Sequence, residues 1–93
     1  MATYVMLGKY SPEGIRGISA KRTDEARALV KKNGGEVKAA YALLGEDDLL
    51  VIADLPDTTR AMQTSAGLAK LLGVHFTTCP AVTAEEFDKL VKP

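Results

Sequence analysis

One cysteine, Cys79, is the whole thiol inventory of this 93-residue sequence. No intrachain disulfide can form, and there is no Cys-x-x-Cys pair for metal or redox chemistry. Histidine is equally scarce: His75 stands alone, and one histidine with one cysteine falls short of a metal ligand set. Aromatic residues make up 5% of the chain. Net charge is absent as well, because 12 Lys+Arg balance 12 Asp+Glu, which argues against a generic polyanion binder. No apolar run approaches the ~18 residues of a membrane span, and the N-terminus lacks a basic-then-apolar signal pattern. What is present, 46% hydrophobic and 26% charged residues, is a globular composition of single-domain length. The expectation is a small soluble cytoplasmic domain without metal or cofactor.

The elements follow from periodicity and punctuation. Ala2–Lys9 carries the apolar run Tyr4-Val5-Met6-Leu7 and reads as a first strand. Ser11-Pro12-Glu13 is a helix start, with Gly14 and Gly17 weakening the opening turns, so a short turn precedes a main helix from about Thr23. Lys31 and Lys32 suit its C-terminal end, and Gly34-Gly35 can supply a left-handed cap. Glu36–Leu44 reads as a second strand with Val37, Ala39, Tyr41 and Leu43 on one face. Gly45-Glu46-Asp47 is turn chemistry leading into a third strand, Asp48–Leu55, apolar on both faces through its middle. Asp57 caps a second helix that runs to Leu72 and stops at Gly73, and Val74–Val82 forms the fourth strand. Thr83-Ala84-Glu85-Glu86 is a capping box that opens a short helix with Phe87, Leu90 and Val91 on one side. The order β-α-β-β-α-β defines an α+β, ferredoxin-like arrangement: a four-stranded antiparallel sheet, two helices on one face, strands one and three central.

Two helices cover one sheet face, so the other should be polar in a monomer. Here Leu49, Val51, Ala53 and Leu55 alternate with Leu50 and Ile52, and Val5 and Leu7 alternate with Tyr4 and Met6. Whichever face the helices take, an apolar patch of about six large side chains remains, too much to leave wet at ~1.5–3 kcal/mol each. A second copy packed sheet on sheet is the simplest cover, giving a homo-oligomer of the dimeric α+β barrel kind. The C-terminal helix is too short to cover four strands.

Several stretches carry a family likeness. Tyr4-Val5-Met6-Leu7, Gly14-Ile15-Arg16, Ala26-Arg27-Ala28-Leu29, Gly34-Gly35-Glu36-Val37-Lys38, Leu44-Gly45-Glu46-Asp47-Asp48-Leu49, Pro56-Asp57 and Thr83-Ala84-Glu85-Glu86-Phe87 together resemble the GYD-domain family across nearly the whole chain. The signature that names the family corresponds to Gly45-Glu46-Asp47-Asp48, with Asp47 where an aromatic ring is expected. The resemblance implies a small ferredoxin-like protein related to dimeric α+β barrels, and no settled activity.

Candidate chemistry is sparse. His75, alternating with Thr77 and Cys79, is either a general base or a solvated edge-strand histidine, since histidine as a residue type titrates near neutrality. Tyr41 is either a hydrogen-bond donor in a cavity between sheet and helices or a core tyrosine. Together Tyr41 and His75 are the best acid–base pair this chain offers. Cys79, before Pro80, reads as a small buried hydrophobe, and Asp47 and Asp48 as turn residues. Gly14-Ile15-Arg16-Gly17 resembles a Gly-x-x-Gly backbone clamp of RNA-binding modules, but zero net charge and no interleaved aromatics weigh against nucleic acid. A bound anion near Ser11, Gly14 and Arg16 is the milder reading.

The leading functional expectation is a module that holds a small, mostly apolar molecule between sheet and helices. Its basis is the run of small residues Ala39, Ala40, Ala42, Ala66, Gly67 and Ala69, which either leave room, at Ala42 and Ala66 above all, or allow close packing. The alternatives are a cofactor-independent enzyme using His75 and Tyr41, and a structural assembly subunit with no ligand.

Overall fold

The computed structural model describes residues 1–92. Its elements run β1 (Ala2–Tyr10), α1 (Pro12–Arg16), α2 (Ala20–Lys32), β2 (Glu36–Ala42), β3 (Leu49–Leu55), α3 (Thr58–Leu72), β4 (Val74–Ala81) and α4 (Ala84–Val91). The strands form one sheet in the order β2-β3-β1-β4, antiparallel throughout. This is the α+β, ferredoxin-like arrangement expected, with the two most apolar strands in the centre.

Caps set the helix boundaries. Ser19 Oγ accepts the Arg22 N–H at 3.1 Å and starts α2 at Ala20, earlier than the Thr23 start expected from glycine weakening. Asp57 Oδ1 accepts the Arg60 N–H at 2.8 Å to open α3, and Gly73, at φ 65°, closes it in the left-handed region. Strand β2 stops at Ala42, short of Leu44, and the hairpin connection is longer than the three-residue turn expected. Asp48 organises it: its carbonyl accepts the Leu43 N–H, its N–H donates to the Gly8 carbonyl, and its carboxylate accepts the Tyr10 N–H at 2.9 Å.

The helices cover the sheet face bearing Tyr4, Met6, Val51, Ala53 and Leu55, and these form the core with Val30, Ala61, Leu68, Leu72 and Val74. Met6, Leu55, Leu68 and Val30 are essentially solvent-free, and full burial of each stabilises by ~1.5–3 kcal/mol. The hydroxyl of buried Thr64 donates to the Arg60 carbonyl at 2.7 Å, which satisfies it. A Cβ on Gly67 would meet Leu29 at 3.2 Å, so this small residue serves the close approach of α2 and α3 rather than a cavity.

Arg22 ties three elements together. Its Nη1 donates to the Gly14 carbonyl at 3.2 Å and its Nη2 to the Leu72 carbonyl, placing a cation on the carbonyl-rich end of α3. Its Nε is buried without a partner, which trims the net gain. Arg22→Met should therefore lower unfolding stability by about 2–3 kcal/mol, read as a fall in the urea midpoint with unchanged slope.

The opposite face of the sheet is uncovered. Val5, Leu7, Leu50 and Ile52 lie there in register, half-buried by their neighbours alone. These are four large aliphatic side chains rather than six, because the helices take the more apolar face, that of Tyr4, Met6, Leu49, Val51 and Leu55. Helix α4 does not fold back over them: it has no buried residue, and Phe87, Leu90 and Val91 are 55%, 75% and 61% exposed. The accessible surface is 6406 Å², against about 5,200 Å² for a compact monomer of this mass. The radius of gyration, 13.9 Å, likewise exceeds the ~12.3 Å of a compact domain of this length.

Candidate functional site

Strand β4 divides the candidate surfaces. Phe76, Thr78 and Pro80 point toward α3, while His75, Thr77 and Cys79 share the open face with Lys9, Leu7 and Val5, their register partners on β1. Three of the depressions on the described residues bear on the candidate positions.

The first lies between α2 and the sheet, lined by Val30, Val37, Ala40, Leu49, Val51 and Leu68 among others. At about 70 Å³ it has room for roughly two waters. That is far below the ~300 Å³ at which small-molecule pockets begin.

The second is a groove of about 390 Å³ between α3 and the outer side of β4. Ala61, Met62, Ala66, Ala69, Phe76 and Pro80 make its apolar surface. Four hydroxyl side chains line it too, in two pairs: Ser65 Oγ lies 3.0 Å from Thr78 Oγ1, and Tyr4 Oη lies 3.5 Å from Thr58 Oγ1. Among the described residues lining it, none is an acid, a lysine or an arginine, and His75 borders it from β4. Met62, Ala66 and Ala69 follow one another at helical spacing along α3, opposite alternate residues of β4. The two alanines on the helix wall leave room beside Phe76 and Pro80 on the strand wall.

The third is a polar corner of about 360 Å³ on the open face, bounded by Leu7, Lys9, Glu46, Asp47, His75 and Thr77. Lys9 Nζ approaches Glu46 Oε1 at 3.5 Å, an exposed pair of little energetic consequence.

The expected acid–base pair is not assembled within one chain. Tyr41 is on β2 opposite Leu50, and His75 is on β4 opposite Lys9. The two outer strands are three inter-strand spacings apart, roughly 14 Å. Tyr41 is also neither in the core nor in a cavity between sheet and helices: it is 58% exposed on the open face. A register irregularity between Val37 and Ala39 is the cause. The extra residue, Lys38, shifts the alternation, so Val37 and Ala40 face the helices and Ala39 and Tyr41 face away.

The other expected positions separate similarly. Ala66 lines the α3–β4 groove, whereas Ala42 is exposed at the end of β2 and lines none of the three depressions. Cys79 is exposed on the open face, not buried, because the alternation of β4 turns it away from the core. Arg16 is exposed at the end of the five-residue α1. The Ser11 hydroxyl already accepts the Gly14 N–H at 3.0 Å, and the Ser11 carbonyl accepts that of Ile15, so the expected anion site has lost two of its donors. Gly14 and Gly17 have packing roles: a Cβ on Gly14 would strike the carbonyls of Leu72 and Gly73, and one on Gly17 would strike the Arg22 guanidinium. Residues the sequence reading passed over, Ser65, Thr78, Thr58 and Tyr4, carry the hydroxyl groups of the groove. Alternation along β4 with Ser65-Ala66-Ala69 on α3 was the signal available for them.

A model of the GYD domain matches residues 4–91. The chain belongs to the GYD-domain family. No curated protein matches this member of the family. Among solved structures, the leucine response regulatory protein of Mycobacterium tuberculosis superposes with a TM-score of 0.59 at 11% identity, covering 89% of this chain and 51% of the regulator. The GYD chain thus spans about half the regulator's length. A hypothetical protein from Pyrococcus horikoshii superposes with a TM-score of 0.57 at 22% identity, covering 92% of this chain and 95% of that one. At these identities the likeness establishes the fold.

Proposed function

We propose that this GYD-domain protein is a cytoplasmic binding module for a small, uncharged, mostly apolar molecule held in the α3–β4 groove. The observation that carries the reading is the groove's lining: apolar walls, four hydroxyls and, among the described residues, no acid or strong base, in a volume of about 390 Å³. Such walls favour a ligand by area, and the hydroxyls orient a neutral donor or acceptor on it. A regulator named for its response to leucine shares the fold. A free amino acid is nevertheless a poor candidate here, because the described residues lining the groove include no carboxylate to match an ammonium and no lysine or arginine to match a carboxylate.

Native mass spectrometry of freshly purified protein, followed by titration with the neutral probe N-phenyl-1-naphthylamine, tests this. A reproducible extra mass, or probe binding that Ala66→Trp weakens at least tenfold, is expected. Ala66 is exposed on α3, so the indole fills the groove without entering the core. His75→Ala, at the border of the groove, should cost far less binding than Ala66→Trp, which separates a binding module from a catalyst dependent on that ring. Neither retained mass nor Ala66-sensitive probe binding would overturn the reading.

The module works, in this proposal, as a homo-oligomer paired through the open sheet face. Val5, Leu7, Leu50 and Ile52 provide the apolar centre of that face. Both sheet edges are unsuited to strand addition: β2 carries the irregularity at Lys38, and β4 carries Pro80, which has no N–H to donate. Pairing by the face rather than the edge is what these features favour.

A further inference from the structure

Helix α4 presents a different problem from the sheet. It is eight residues long, and isolated helices shorter than ~12 residues are marginal in water. Its N-terminus is well made: Thr83 Oγ1 accepts the Glu86 N–H at 3.0 Å, and Glu85 and Glu86 occupy the first turn. Yet no residue of α4 is buried against its own chain. Phe87, Leu90 and Val91, at i, i+3 and i+4, make one continuous apolar stripe, and Val82 just before the helix is 54% exposed beside it. A cap alone does not hold so short a helix; its apolar stripe must pack on something.

We infer that α4 is an exchanged arm: in the paired assembly each copy seats Phe87, Leu90 and Val91 on the other copy. This rests on the face pairing proposed above. The argument for a second copy as the occupant is one of area. The apolar band of the open face is four strands wide and about two side-chain rows deep, a footprint of roughly 19 Å by 13 Å. That is well short of the ~800 Å² each partner contributes to a standard stable interface. The chain, however, exposes about 1,200 Å² more than a compact monomer of its mass. Helix α4, with no buried residue, is one contributor to that excess. Continuity points the same way. Helix α4 leaves the sheet from Ala81, which pairs with Thr3 at one end of the open face, so arm and face are neighbouring parts of one surface. Under a two-fold axis each arm is then delivered to the margin of the opposite copy.

The test uses the full chain with Cys79→Ser, so that a single engineered thiol at Lys89→Cys, on α4 and exposed, can carry a nitroxide. Spin-labelled protein at natural isotope abundance is mixed with ¹⁵N-labelled protein lacking the label, and relaxation enhancement is read on the ¹⁵N copy. Sedimentation equilibrium reports the assembly state of the same samples. The expected result is a dimer in which the label broadens amides of the unlabelled copy. A Phe87→Asp/Leu90→Asp variant, folded by circular dichroism, should then show at least 100-fold weaker association. A dimer without broadening on the second copy, or one whose dissociation constant the double variant leaves unchanged, overturns the arm while leaving the face pairing intact. A monomer at all concentrations overturns both.

Discussion

In the face-paired assembly proposed above, Ile52→Lys should give a folded monomer. Ile52 lies on β3 between Val5 of β1 and Ala39 of β2, near the centre of the open face. In a single copy its side chain is half-buried, and a lysine there can lay its methylenes on the sheet and keep its ammonium in water. The monomer loses little stability. Between two sheets stacked as proposed the same ammonium would be taken out of water, and each such buried charge costs several kcal/mol. Two-fold symmetry applies that cost twice, so association should weaken by on the order of 1,000-fold or more. Sedimentation equilibrium reads it, and Cys79 supplies an independent readout. Its register partner on β1 is Val5, so it lies in the same row as Ile52 and is covered when the faces pair. Alkylation of Cys79 should be at least ten times faster in Ile52→Lys than in the wild type at high protein concentration. Thr77→Lys, on the outer strand, is the comparison, since its longer side chain can reach solvent at the rim. If Cys79 of the wild type reacts as fast as an exposed thiol at every concentration, the face is not covered.

The same register explains what the sequence could and could not disclose. The element order, the central position of β1 and β3, and the caps at Ser11, Asp57, Gly73 and Thr83 were all legible. Each rests on local chemistry: alternation, a hydroxyl or carboxylate before a helix, a glycine after it. Tyr41 was not legible, because strict alternation assigns it to the face of Val37. One additional residue at Lys38 reverses that assignment. Nothing in Glu36–Ala42 marks the irregularity; it is specified by pairing with β3, where Lys38 Nζ comes within 3.7 Å of Asp54 Oδ2. Asp54 in turn accepts the Thr3 hydroxyl at 2.8 Å, so it is a junction of three strands. The groove suffered from the reverse difficulty. Small residues on α3 are ambiguous between room and close packing, and both occur within two positions: Gly67 admits Leu29 of α2, while Ala66 borders open space beside β4. Helical periodicity separates those faces only once the partner of each is known.

Gly14→Ala should be more damaging than alanine at Gly17 or Gly45. Read alone, Gly14-Ile15-Arg16-Gly17 invites a ligand-clamping role, and an alanine in α1 would be expected to help by helix propensity, by just under about 1 kcal/mol. Its surroundings reverse the sign. A Cβ at Gly14 would sit far too close to the Leu72 and Gly73 carbonyl oxygens, which are backbone and cannot rotate aside. Gly73 has no freedom to yield: it holds φ 65°, and its carbonyl accepts the Ser11 N–H at 2.8 Å. Relief therefore requires α1 to lift from the end of α3, which lengthens that bond and pulls the Gly14 carbonyl from Arg22 Nη1. Overpacking costs about 1–3 kcal/mol and a lost charge-assisted hydrogen bond about 1.5–3 kcal/mol, so the net loss should be about 3 kcal/mol after the propensity gain. Gly17→Ala meets the Arg22 guanidinium rather than backbone; that side chain can shift, at some expense to its bonds with the Gly14 and Leu72 carbonyls, so the loss should be smaller, about 2 kcal/mol. Gly45→Ala meets nothing within 4 Å and should be neutral to within about 0.5 kcal/mol. Urea denaturation of the three variants checks the order. Equal losses at Gly14 and Gly17 would mean that the backbone contact at α3 does not govern this corner. A neutral Gly14→Ala would mean that α1 is not seated on α3 at all.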